Sequence, residues 1–420
     1  MDHEALARLR EDPIDWRYKG FPPAQGVTPA TLAERGWNLL AGDLFLPALV
    51  LRESALAHNL ELMAHWCETR GVALAPHGKT TMSPELFVRQ LEAGAWGITA
   101  ATPAQARMYR AFGVGRILLA NELVEPTAVR WVASELAADP SFDFSCLVDS
   151  GEAVTVMERA LAGREVARPI PVLVELGVEG GRTGARTVAA ALEIAAEVGR
   201  SGVLELAGVE CFEGILHDDD AVDAFLRDLR RLLDDLLDAD AFSDREEIVV
   251  TAGGSVYFDR VAELLAPPPE VPRVRLVLRS GCYLTHDHGF YDRSSPFGTD
   301  GTAAERLHPA LEAWAVVLSR PEPELAIVGM GKRDVPHDID LPIPLRVRSR
   351  AGLRETDGIM EVVDLNDQHA YVRLPANEDL APGDLLGCGI SHPCTAFDKW
   401  RLLPVVDDDY AVIDAVHTFF

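Results

Sequence analysis

The chain has 420 residues, 48% of them hydrophobic, enough for a large core and for one big domain plus a smaller one. Its 39 Lys and Arg stand against 66 Asp and Glu, a formal charge of −27, which opposes binding to nucleic acid or to an anionic membrane surface. No apolar run reaches the roughly 18 residues that cross a bilayer. The start Met1-Asp2-His3-Glu4 lacks the regions of a signal peptide, and the six cysteines are scattered rather than set as a disulfide framework. The expectation is a cytoplasmic protein with a small-molecule partner, and neither nucleic acid nor membrane.

Residues 1–44 show no strand–helix rhythm, carry Pro22-Pro23, and are expected to wrap onto one of the domains. From Pro47 onward, short apolar runs alternate with amphipathic stretches. Leu56, Leu60, Met63 and Cys67 lie on one face of a helix, with Ser54 as its expected N-cap. Apolar runs follow at 72–75, 97–100, 116–120, 144–148, 170–175, 205–211, 248–252 and 274–278, as buried parallel strands should read. Thr102-Pro103-Ala104-Gln105 has capping-box spacing, and 221–237 reads as a helix with Phe225, Leu229, Leu232, Leu233 and Leu236 on one side.

About eight strand–helix units in roughly 230 residues is the rhythm of a (β/α)8 TIM-type barrel, placed here at 45–304. A doubly wound open sheet gives the same alternation, and the count favours the barrel. Beyond residue 305 the texture changes to short runs at 314–318, 325–328, 345–348, 360–363, 370–374, 384–387, 402–406 and 411–416. Turn signals separate them, so 305–420 is expected to be an antiparallel β domain, making an α/β chain overall.

The first barrel strand runs into Ala75-Pro76-His77-Gly78-Lys79-Thr80-Thr81. A lysine at the carboxyl end of a barrel strand stands where such barrels keep their sites, and a primary amine is what an aldehyde cofactor needs for an imine. The bland reading is a surface salt bridge. Thr251-Ala252-Gly253-Gly254-Ser255 ends the seventh strand and Ser280-Gly281-Cys282-Tyr283 the eighth. N–H groups freed by glycine, with hydroxyls nearby, make a phosphate cradle, and barrels often hold phosphate after these two strands. Each turn alone reads first as an ordinary Gly turn; their joint placement favours phosphate.

In Ser391-His392-Pro393-Cys394, a His and a Cys two residues apart project to the same side of an extended segment. Imidazole and thiolate suit Zn2+, with positions left open for water or substrate; a chance H-x-C is the bland reading. Cys388 reads as a further ligand or as core, and core is favoured. Arg182, in Glu179-Gly180-Gly181-Arg182-Thr183-Gly184, reads as a contact for a cofactor or carboxylate, or as a brace of its loop. His286, Asp287 and His288 read as a second metal site or as loop residues, the loop being favoured. Gly331-Lys332-Arg333 and His337-Asp338 read as carboxylate-binding groups or as salt bridges.

Taken in order, these residues resemble the D-threonine aldolase and D-serine dehydratase family, fold-type III pyridoxal-phosphate enzymes related to alanine racemase. The resemblance begins in Leu46-Pro47-Ala48-Leu49-Val50, Pro76-His77-Gly78-Lys79-Thr80 and Leu91-Glu92-Ala93-Gly94-Ala95. It continues through Leu119-Ala120-Asn121-Glu122, Val148-Asp149-Ser150, Gly181-Arg182-Thr183-Gly184, the two glycine turns and His392-Pro393-Cys394. The segment around Lys79 is most similar to bacterial chains described as D-serine deaminases.

The resemblance implies a cofactor-binding barrel, a β domain and a homodimer. It makes Lys79 the Schiff-base lysine and matches Thr251, Gly253, Gly254, Gly281 and Cys282 to the phosphate turns. His77, Ser255 and Tyr283 of the same segments are counted with the cofactor site. Arg182 matches an arginine near the ring, and His392 with Cys394 the metal pair. Family dehydratases resemble this His-x-Cys pattern with zinc, whereas aldolases carry His-x-Asp with a harder ion such as manganese. Thiolate independently favours Zn2+, with another divalent metal as the alternative. Phe212-Glu213 stand where many relatives show Tyr-His, so no stacking or acid–base role carries over to them.

The expected activity is that of a pyridoxal-phosphate- and zinc-dependent dehydratase of D-serine or a related D-β-hydroxy amino acid. It would give a 2-oxo acid and ammonia, with Lys79 as base and the metal loosening the hydroxyl. One alternative is metal-dependent D-threonine-type aldol cleavage to glycine and an aldehyde. A non-catalytic pyridoxal-phosphate carrier is another, though such carriers are usually a barrel alone.

Overall fold

The computed structural model describes residues 1–242, 245–298 and 302–420. The chain divides into two units, one of residues 1–2, 64–79 and 90–281, the other of residues 3–63, 80–89 and 282–420. The first strand, β1 (Ala48–Arg52), belongs to the second unit.

The first unit is the barrel. Its strands are β2 (Ala73–Leu74), β3 (Ile98–Ala100), β4 (Arg116–Glu122), β5 (Asp143–Val148), β6 (Ile170–Leu176), β7 (Leu204–Cys211), β8 (Ile248–Ala252) and β9 (Val274–Leu278). Neighbours pair in parallel in the order β2-β9-β8-β7-β6-β5-β4-β3. The ring closes where Thr99 donates its N–H to Pro76 O at 2.9 Å and His77 bridges Thr99 in parallel. Inside, Ala75, Leu118, Leu147, Leu173, Ala207, Val249 and Val277 pack as a filled core.

Helices return the chain between strands. The longest, Asp219–Asp238, buries Phe225, Leu229, Leu232, Leu233 and Leu236 as one stripe, each worth about 1.5–3 kcal/mol of burial. Asp218 caps it by accepting the Ala221 N–H at 2.9 Å. Thr102 likewise accepts from Gln105 N at the start of Pro103–Ala111.

In the second unit, β1, β10 (Leu311–Glu322), β11 (Leu325–Val328), β12 (Ile343–Ser349), β13 (Gly352–Glu355), β14 (Glu361–Leu365), β15 (Ala370–Arg373), β16 (Leu385–Gly389), β17 (Leu402–Val406) and β18 (Val412–His417) form the other sheet. Its spine runs β13-β12-β16-β10-β1-β17-β18, with β11, β14 and β15 branching from β10. All described pairings are antiparallel except β1 with β17. Residues of the N-terminal stretch, among them Ile14, Tyr18, Phe21, Val27, Leu32 and Leu39, pack in one core with Val50, Trp314 and Leu402.

Three sequence expectations change. The run at 48–52, counted with the barrel at 45–304, pairs with β10 and β17. Ser54 lies inside the helix Glu53–Arg70 rather than capping it, and its hydroxyl donates to Asp408 Oδ1 at 2.7 Å. Strand β13 was unforeseen because Gly-Leu-Arg-Glu, half exposed at the sheet edge, carries no apolar run.

Candidate active site

Several barrel strands end in polar residues, and these ends line a cavity. Lys79 borders it beside His77, Asn121 and Arg182. Gly78 lets the turn after β2 pass close to its neighbours, since a Cβ there would stand 2.6 Å from Tyr109 Oη and 2.9 Å from Ile98 Cγ2. His77 Nδ1 is buried and without a partner. Burial first, then the charges of Lys79 and Arg279, hold its pKa well below the usual imidazole range, so the ring is neutral.

Two acidic groups on the wall were not foreseen. Glu210, 1% exposed on β7, pairs with Arg279 at 2.5 Å. Burial pushes Glu210 up to about 8 against the pull of that guanidinium. Arg279 also donates to Thr251 Oγ1 at 2.9 Å and to Cys211 O at 3.0 Å. Glu175, at the end of β6, accepts the Thr183 hydroxyl at 2.8 Å. Beside it, burial and then the neighbouring Glu175 carboxyl push Glu122 up to about 9. A signal was present in the sequence: Glu175 and Glu210 sit near the ends of largely apolar strand runs, where a buried charge is costly unless it is paired or used.

The glycine turn after β8 is engaged. Gly253 and Gly254 donate their N–H groups to Glu213 Oε2 and Oε1 at 3.0 and 2.8 Å. Glu213 is fully buried, and Gly253 has φ +95°. Arg182 lies 4.6 Å from the centre of the Phe212 ring. Thus the pair Phe212-Glu213, for which no role carried over, meets both Arg182 and the turn. Thr251 is tied into the framework, its hydroxyl donating to Val277 O at 2.7 Å. Ser255 and Gly281 lie on the expected turns but do not line this cavity.

These residues fit pyridoxal phosphate. A primary amine suits its aldehyde, a neutral imidazole with an orphaned buried nitrogen can meet a ring substituent, and the Gly253–Gly254 amides already hold an oxyanion, the Glu213 carboxylate.

The second unit holds the sulfur–imidazole group. His392, in the left-handed region at φ +68°, opens the turn Pro393–Thr395. Its Nδ1 stands 2.5 Å from Asp338 Oδ2, and Thr395 donates its hydroxyl to Asp338 Oδ1 at 2.7 Å. The hydrogen bond with Cys394, then the neighbouring Asp338, raises His392 to about 9 despite burial. Cys394 is held well below the usual thiol range, first by the Cys282 thiol and also by His392 and Thr80. This is the donor chemistry of a zinc pair: a thiolate, an imidazole, and a carboxylate fixing the imidazole's other nitrogen.

Cys282, assigned from sequence to the phosphate turn, puts its sulfur 3.4 Å from Cys394 Sγ in this unit. Tyr283 is buried there. Cys388 is core, fully buried on β16. The motif His286-Asp287-His288 is a loop brace. Asp287 Oδ1 accepts N–H groups from Gly289 and Tyr291, both at 2.9 Å, and its Oδ2 accepts the His392 N–H at 2.9 Å. Of the two readings of Asp338, carboxylate binding or a salt bridge, the structure shows the second, with His392 as the partner. Arg333 pairs with Asp367 at 3.5 Å.

Comparison with known proteins agrees with this architecture. Residues 51–259 match the family described as "Alanine racemase, N-terminal domain", and residues 310–406 match "Putative serine dehydratase domain". The chain is 25% identical over 394 residues to a D-threonine aldolase of Arthrobacter sp., covering 92% of this chain and 93% of that one. A D-threonine aldolase structure from Filomicrobium marinum shares the fold with TM-score 0.74 at 24% identity, over 91% of this chain and 97% of that one. A D-threo-3-hydroxyaspartate dehydratase from Delftia sp. shares it with TM-score 0.70 at 22% identity, over 91% and 99%. The barrel with its second β unit is the architecture of alanine-racemase-like, fold-type III pyridoxal-phosphate enzymes. Over most of its length the chain is similar to an aldolase, and over residues 310–406 to a serine dehydratase domain. No helix among the described residues is long and apolar enough to cross a membrane.

Proposed function

We propose that the chain dehydrates and deaminates D-serine or a related D-β-hydroxy amino acid, giving a 2-oxo acid and ammonia. The observation that carries this reading is the His392–Cys394 pair braced by Asp338, a soft donor set suited to zinc rather than to a harder ion. Bound pyridoxal phosphate supplies an electron sink for the substrate's α-carbon, and zinc held by His392 and Cys394 supplies a Lewis acid for the β-hydroxyl.

The chain's own groups do the rest. Lys79 Nζ would hold the cofactor and, when free, would take the α-proton as general base. Its position on one wall restricts removal to one face, which gives the D-selectivity. The Gly253 and Gly254 amides would hold the phosphate in place of the Glu213 carboxylate, and Arg182 would offer a positive charge on the same cavity wall. Arg279 is kept in place by Glu210, Thr251 and Cys211, presenting a fixed positive charge at the cavity wall. Neutral His77 can accept a hydrogen bond without adding charge.

A second reading, aldol cleavage to glycine and an aldehyde, is favoured by the similarity to the Arthrobacter D-threonine aldolase across 92% of this chain. A product assay over a panel of D-3-hydroxy amino acids, with and without chelator, separates the two. Oxo acid and ammonia that vanish with chelator and return with Zn2+ support the dehydratase. Glycine with aldehyde selects the aldolase, and no product from any member sinks both.

A further inference from the structure

We propose that Cys282 is a third metal ligand, so that the second unit takes a thiophilic divalent ion through His392, Cys394 and Cys282. The inference rests on the metal pair of the preceding reading and deepens it.

The observation is the approach of two sulfurs from positions 112 residues apart, Cys282 Sγ to Cys394 Sγ at 3.4 Å. Both cysteines are free. A covalent disulfide would need about 2.0 Å, so the sulfurs would have to close by more than an ångström. Two thiolates on one tetrahedral zinc, with Zn–S of about 2.3 Å, stand roughly 3.8 Å apart. The observed spacing falls within a few tenths of an ångström of the second arrangement.

Cys282 is buried, 5% exposed, at the head of the turn Cys282–Leu284, so its sulfur is directed inward at Cys394 rather than to solvent. Thr80 Oγ1 lies 3.4 Å from the Cys394 sulfur and 4.0 Å from that of Cys282. On the imidazole side Asp338 occupies Nδ1, which leaves Nε2 as the nitrogen for a metal. Among the described residues no three His, Cys, Asp or Glu side chains converge as a finished cage. Binding would therefore draw the His392 ring toward the sulfur pair.

Three protein ligands and an open fourth position form the usual arrangement of a catalytic zinc, and two sulfurs with one imidazole is a known variant of it. Two thiolates rather than one also sharpen the choice of ion, favouring Zn2+, Cd2+ or Co2+ over Mn2+ and Mg2+.

The test is anaerobic Co2+ titration of the full chain stripped of metal, reading the thiolate-to-cobalt charge-transfer absorption, with wild type, Cys282→Ser, Cys282→Ala and Cys394→Ser. Wild type should bind one ion per chain with a two-thiolate band. Either Cys282 variant, folded by circular dichroism, should show about half that intensity and an affinity weakened on the order of 100-fold. Mn2+ should not displace Zn2+ from wild type.

A Cys282 variant that matches wild type in both intensity and affinity, while Cys394→Ser does not, overturns the inference and spares the pair. Wild type that takes no cobalt overturns both. Thiol counting that finds Cys282 and Cys394 joined as a disulfide in protein isolated without metal also overturns it.

Discussion

Asp338 Oδ2 stands 2.5 Å from His392 Nδ1, and Asp338 Oδ1 receives the Thr395 hydroxyl at 2.7 Å. A carboxylate held at both oxygens fixes the imidazole's orientation and tautomer, and it makes the ring's far nitrogen a better ligand. Asp338→Asn should weaken Zn2+ binding by about 10–100-fold without unfolding the chain, because the side chain is partly exposed. Competition against a chromophoric chelator measures this. An unchanged affinity would detach Asp338 from the metal site.

Lys79 borders the barrel cavity in the turn Gly78–Thr80, and its amine is the group that would anchor the cofactor. Lys79→Ala should lose the visible absorption of lysine-bound pyridoxal phosphate, and turnover should fall by roughly 10²–10⁴-fold or more. Absorption spectra of the reconstituted variant decide it. If the band persists after desalting, another lysine holds the cofactor.

Glu213 accepts two N–H groups that a phosphate would use, at 3.0 and 2.8 Å. One donor cannot serve both acceptors at full strength, so carboxylate and phosphate compete for the turn. Glu213→Gln, one negative charge poorer, should bind pyridoxal phosphate more tightly, by about tenfold for a difference of 1.4 kcal/mol. Fluorescence titration gives the constant. Weaker binding in the variant would mean that Glu213 buttresses the turn rather than contesting it.

The barrel was legible because most of its strand residues are buried and read as short, largely apolar runs, Ile170–Leu176 and Ile248–Ala252 being buried along their whole length. Lys79 and the glycine turns were legible because they fall directly after such runs. The assignment of Ala48–Arg52 to the other sheet was not. Ala-Leu-Val-Leu-Arg suits either sheet, and its pairing with Leu311–Trp314 and Val405–Val406 is a long-range choice that no local pattern encodes. The partners of the site residues were hidden for the same reason. Asp338 is 54 positions from His392, and Glu213 is 40 and 41 positions from the glycines it meets. Cys282 was assigned by its backbone motif, whereas its side chain goes to Cys394. Glu175 and Glu210 did leave a trace, as charges near the ends of largely apolar strands.

Glu210 ties stability to pH. Burial raises its folded pKa to about 8, above the roughly 4.3 of an unfolded glutamate. Between these values the folded state holds a proton that the unfolded state has lost. The stabilising contribution is therefore complete below about pH 4.3 and declines as pH rises toward 8. Glu122, raised in the same direction to about 9, adds to that slope. Glu210→Gln keeps a neutral acceptor for Arg279 without the titrating proton, so it should be close to wild type in stability near pH 5 and fall less steeply from pH 5 to 8. Urea unfolding at several pH values measures both. Parallel curves for variant and wild type would refute the assignment.

Asp287 is fully buried, and its carboxylate accepts the N–H groups of Gly289, Tyr291, Asp292 and His392. It therefore sets the path of its own loop and the backbone of His392, which sits in the left-handed region. Asp287→Ala leaves four backbone donors without that acceptor, at about 1–3 kcal/mol for each one that water cannot reach. Even two such donors would lower the melting temperature by several degrees. Asp287→Asn keeps one acceptor oxygen but puts an NH2 group against N–H donors, so it should recover part of the stability and little of the metal affinity. Calorimetry and metal titration on the two variants separate the roles. If Asp287→Ala melts with wild type and binds metal equally well, the carboxylate does not hold His392 in place.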